Sequence, residues 1–104
     1  MGSALRDLEA ELRPILAPDG TTVPALWFWV AGDPFCIPYE DAERTIRGDD
    51  GKAVFLIWRR VSGSTIEDLT LAPRYRVDCG DRGMLHGEVV AGSWVASSDS
   101  TIGR

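Results

Sequence analysis

The stretch Ala53-Val54-Phe55-Leu56-Ile57-Trp58 is an apolar run with no polar interruption. A strand that alternates polar and apolar residues has one wet face, whereas an unbroken apolar run reads as a strand covered on both. The run therefore predicts a central strand within Lys52–Val61. On this reading Leu56→Asp buries an unpaired carboxylate and unfolds the domain.

Working outward, Val23–Ala31 reads as a second buried strand, because Trp27, Phe28 and Trp29 are consecutive and both faces then need cover. Gly32-Asp33-Pro34 breaks it, and Phe35–Tyr39 is a short extended piece between two prolines. On the other side, Ser62-Gly63-Ser64 turns the chain. Thr65–Leu71 and Tyr75–Cys79 follow, split by Pro73. In the second of these, Tyr75, Val77 and Cys79 alternate with Arg74, Arg76 and Asp78, as in a half-buried strand. Gly80-Asp81-Arg82-Gly83 reads as a loop, and Met84–Val90 and Ser93–Ala96 as a hairpin turning at Ala91-Gly92.

Two segments have helical composition. Over residues 4–13, Leu5, Leu8 and Leu12 share one face and acids fill the other, with Ser3 placed to cap the start and Pro14 to end it. Glu40–Arg47 sets Ala42 and Ile46 on one side. The expected fold class is α+β: a single domain over 1–104, mainly antiparallel sheet, with one or two helices on the N-terminal side and a flexible tail at 97–104.

No stretch approaches the ~20 apolar residues of a membrane-spanning helix, and residues 1–7 lack the basic and apolar regions of a signal peptide. The expected compartment is therefore the cytoplasm. Net charge is −5 but uneven. Residues 1–51 carry four arginines against ten acids, a net of −6, and residues 52–104 carry seven bases and six acids, a net of +1. A phosphate backbone repels the first half, so nucleic acid is not the favoured partner. Glu40, Asp41, Glu43, Asp49 and Asp50 form the densest acidic segment. They are the candidate partner-binding residues, with a solvated acidic surface as the plain alternative.

Two cysteines are too few for a disulfide framework. With the single histidine, Cys36, Cys79 and His86 make the softest ligand set in the chain and a candidate Zn²⁺ site, closed by Asp33, Asp78, Asp81 or water. The spacing matches no zinc motif, and small apolar cysteines with a satisfied histidine explain the same residues. Catalysis is disfavoured: His86 is the sole histidine on which a serine or cysteine triad could be built, and no strained elbow or flanking motif marks a nucleophile. No phosphate loop or calcium loop is present, and Glu67-Asp68 lacks a cleft to work in. Four tryptophans exceed what so small a core needs, which leaves one for a partner-binding face.

Leu69-Thr70-Leu71-Ala72-Pro73, Cys79, Leu85-His86-Gly87-Glu88 and Gly92-Ser93-Trp94 together resemble a family of small uncharacterised phage and prophage proteins. The likeness covers about residues 65–96. Arg74 stands where that family has Ser, and its paired cysteines reduce to Cys36. The resemblance implies a genomic context and no activity. Three functions follow as expectations: a non-enzymatic accessory protein that binds another protein, as a virion component or an inhibitor of host defence; a small zinc-stabilised module; or an enzyme of unknown class.

Overall fold

A computed structural model describes residues 3–30, 32–78 and 84–97. Eleven strands make almost all of it: β1 Ser3–Ala4, β2 Glu11–Leu12, β3 Ile15–Leu16, β4 Thr22–Val23, β5 Ala25–Val30, β6 Asp33–Glu40, β7 Arg44–Arg47, β8 Ala53–Ser62, β9 Thr70–Asp78, β10 Met84–Val90 and β11 Ser93–Ala96. Nine form one sheet in the order β1-β11-β10-β9-β8-β6-β5-β2, with β7 paired to β8 off that path. The sheet curls into a half-barrel. Strands β3 and β4 form a separate two-stranded ribbon. Among the described residues no helix is long and apolar enough to cross a membrane.

The α+β expectation fails at both expected helices. Only Leu5–Leu8 is helical, as a single 3₁₀ turn, and it stops where Glu9 takes a left-handed conformation at φ 56°. Ser3 is no cap: it pairs with Trp94 in β1. Leu5 is fully buried and Leu8 packs beside it, while Leu12 pairs with Leu26 at the far sheet edge. Two residues of a four-residue turn thus reach the core that a ten-residue helix was expected to cover. The segment read as a second helix is split. Glu40 ends β6, residues 41–43 bend, and Arg44–Arg47 pairs antiparallel with β8. A helical composition is a weak preference, and strand pairing along β8 outweighs it here.

The core lies on one face of the curl. Leu26 and Phe28 of β5, Phe35, Ile37 and Tyr39 of β6, Leu69, Leu71, Val89 and Trp94 close over Leu5. Phe28 is the hub of its aromatic packing, with ring centroids 5.8 Å from Phe35 and 5.2 Å from Trp94. A second, smaller cluster joins Ala17, Val23 and Ile57, flanked by Ile46 and Phe55.

Strand β8 exists as expected, but its two faces are not both covered. Ile57 is fully buried in the small cluster, whereas Val54 is 56% exposed and Leu56 44%. The consecutive aromatics of β5 divide likewise: Phe28 is buried, and Trp27 and Trp29 are half-buried on the other face. An apolar run marks burial on both faces only if a second layer exists, and no described helix supplies one.

Strand β9 runs without a break through Pro73. The pairing explains this: Gly87 stands opposite Tyr75 and Val89 opposite Leu71, so Ala72, Pro73 and Arg74 together face Glu88. Proline lacks an amide hydrogen and is tolerated in a sheet at such a bulge. Thr65–Asp68, read as strand, is instead a turn closed by Asp68, whose Oδ1 accepts from the amides of Ser64 and Thr65 and from the Thr65 hydroxyl. The expected 80–83 loop and the tail from residue 98 lie outside the described residues.

The β10–β11 hairpin is as expected. Ala91 and Gly92 have φ of 47° and 76°, which is a two-residue turn with both central residues left-handed. Gly92 is required twice over, since a Cβ there would meet the Glu67 carbonyl oxygen as well as the left-handed backbone. Gly87 meets a different demand: the ring of Trp94 lies across its α-carbon, 2.3 Å from where a Cβ would stand. Gly87→Ala is accordingly expected to displace Trp94 and to destabilise the protein by about 1–3 kcal/mol. A thermal midpoint within a degree of the parent, with unchanged near-ultraviolet circular dichroism, would show the ring is not held there.

Candidate functional site

An open groove lies between the β5–β6 pair and β8. It is lined by Ile15, Trp27, Cys36, Pro38, Val54, Phe55, Leu56 and Trp58 and has a volume of about 440 Å³. Strand periodicity builds it. Residues two apart share a face, so Val54, Leu56 and Trp58 of β8 stand in a row while Ile57 turns away into the small cluster. Across the groove, Trp27 of β5 pairs directly with Cys36 of β6, and Pro38 follows two residues on. Among the described residues no charged side chain lines it.

Two polar features stand at Trp27. The Arg13 guanidinium lies over the ring, 4.6 Å from its centroid, and its backbone amide donates to the Ala25 carbonyl at 3.0 Å, which fixes Arg13 against β5. The indole Nε1–H is buried and finds no acceptor among the described residues.

Cys36 is half-buried, and burial pushes its thiol up to about 11, against a smaller opposing pull from the Arg13 charge. A thiol held neutral at physiological pH is a poor nucleophile, so Cys36 serves the groove as an apolar wall. Of the other proposed zinc ligands, His86 is on β10, whose carbonyl accepts from the Ser97 amide, and Cys79 lies outside the described residues. Cys36 and His86 stand three strand positions apart in the sheet order, on the order of 14 Å along a sheet. Among the described residues no three His, Cys, Asp or Glu side chains come together as a metal cluster would require.

The acidic segment is laced with cations. Glu40 accepts from Arg44 Nε at 3.2 Å, Asp41 pairs with Arg60 at 2.7 Å, and the Asp50 carboxylate accepts the Lys52 amide at 2.9 Å. Glu43 and Asp49 are exposed. The charge that sequence assigns to one patch is thus partly neutralised where the chain folds. Glu67 and Asp68 sit in the Thr65 turn, and hydrogen bonds from Thr65 hold the Asp68 carboxyl below its usual range. That is structural employment, away from any acid–base site.

No protein-family model matches the chain, and no curated protein and no solved structure proves similar to it. The groove must therefore be read from its own chemistry. Sequence inspection did not find it: the signal was present in the four tryptophans, but only pairing shows that Trp27 and Trp58 flank one depression while Trp94 is 4% exposed in the core.

The ribbon beside the groove is pinned by an acid-sensitive clamp. Asp19 Oδ1 accepts from the Thr21 hydroxyl at 2.6 Å and from its amide at 3.0 Å, and Oδ2 accepts from Arg44 at 2.9 Å. Arg44 reaches Glu40 as well, so the β3–β4 turn, β6 and β7 are tied at one point. These bonds, that of the Thr21 hydroxyl foremost, lower the Asp19 carboxyl from the ordinary 3.8 to about 2. The folded value lies below the unfolded one, so the clamp's contribution is complete above about pH 4 and is lost as the pH falls toward 2. An NMR titration should show the Thr21 amide resonance moving with a midpoint near 2, and Asp19→Asn should abolish that step. A midpoint near 4 would mean the clamp is open in solution.

Proposed function

We propose that the protein acts without catalysis, by binding another protein, and that the apolar groove is its recognition surface. The observation that carries this reading is the row Val54, Leu56 and Trp58, exposed or half-exposed beside Trp27 and Pro38 in one apolar groove. Contiguous apolar surface of this kind marks a binding site more often than chance exposure does. Tryptophan is also the side chain most enriched where binding energy concentrates. The neutral thiol of Cys36 and the structural use of Asp68 support a non-enzymatic role. The phage or prophage accessory role belongs to this proposal, and it rests on the sequence resemblance over residues 65–96. In that family's motif, Gly87, Gly92 and Trp94 are accounted for by packing and by a turn.

Leu56→Asp tests the reading, because it puts a charge into the groove at a position that is 44% exposed. Tagged wild-type protein should retain a specific partner that Leu56→Asp loses, with the two melting within a few degrees of each other. Glu40→Lys, Asp41→Lys and Glu43→Lys together should slow association without abolishing it. Retention by Leu56→Asp with loss in the charge-reversed variant would move the recognition surface to the acidic segment and refute the proposal.

A further inference from the structure

We draw no further inference here: the strongest candidate, the apolar groove between the β5–β6 pair and β8, belongs to the recognition surface already described, and nothing in the structure shows what covers it.

Discussion

Ile57→Asp is expected to unfold the protein, and Leu56→Asp, one residue earlier, to leave it folded. The contrast arises because the two neighbours lie on opposite faces of one strand. Ile57 is fully buried among Ala17, Val23, Ile46 and Phe55, whereas Leu56 is 44% exposed in the groove. Aspartate at 57 removes an aliphatic side chain and buries a charge among apolar side chains, and its cross-strand neighbour Arg44 is already held by Asp19 and Glu40. Together these cost at least about 5 kcal/mol, against a net stability of ~5–15 kcal/mol for a domain of ordinary size. Aspartate at 56 can turn its carboxylate to water, so its effect should stay near the ~1 kcal/mol typical of a point substitution. Circular dichroism melts of the two variants decide the matter. Similar midpoints for both would mean that β8 has no distinct buried face.

Phe28→Ala is expected to destabilise the protein by about 3–5 kcal/mol without creating a new fold. Phe28 is fully buried and its ring touches the two aromatics that join opposite parts of the half-barrel, Phe35 on β6 and Trp94 on β11. Removing it forfeits the transfer energy of the ring, leaves a cavity in the core, and breaks two tilted aromatic contacts worth ~0.5–1.5 kcal/mol each. The thermal midpoint should fall by more than about 12 °C, taking ~4–8 °C per kcal/mol for this chain length. Phe28→Leu, which refills most of the space, should recover over half of the loss. A loss below about 1 kcal/mol in Phe28→Ala would show that Trp94 holds the core alone.

The strands were largely legible in the sequence, and the helices read there were not real. The β10–β11 hairpin and its turn at Ala91-Gly92 follow from local chemistry, since a two-residue turn between apolar runs needs left-handed backbone and Gly92 supplies it. Ala53–Trp58 is extended because its run of bulky side chains suits a pleated surface. In contrast, Leu5, Leu8 and Leu12 fit a helical stripe equally well whether or not the chain is helical. They end as two core contacts in a 3₁₀ turn and one edge residue because β1 and β2 find partners in β11 and β5. Glu40–Arg47 follows the same logic. Its preference is a matter of tenths of a kcal/mol per residue, and four residues paired along β8 exceed it.

The candidate site divides in the same way. Composition alone determined that the chain has more tryptophan than its core requires, that one histidine limits catalytic arrangements, and that the N-terminal half is acidic. Which tryptophan is spare was decided only by tertiary structure. Trp94 lies over Gly87 in the core, while Trp27 and Trp58 come to flank a groove from strands β5 and β8, which are not neighbours in the sheet order. Tertiary structure likewise spent part of the acidic charge on Arg44 and Arg60, and separated Cys36 from His86 by two intervening strands. The physical reason is common to all of these. Local sequence sets backbone preference and the two-residue alternation of faces, but which face is dry, and which charges meet, depends on strand pairing between residues far apart in the chain.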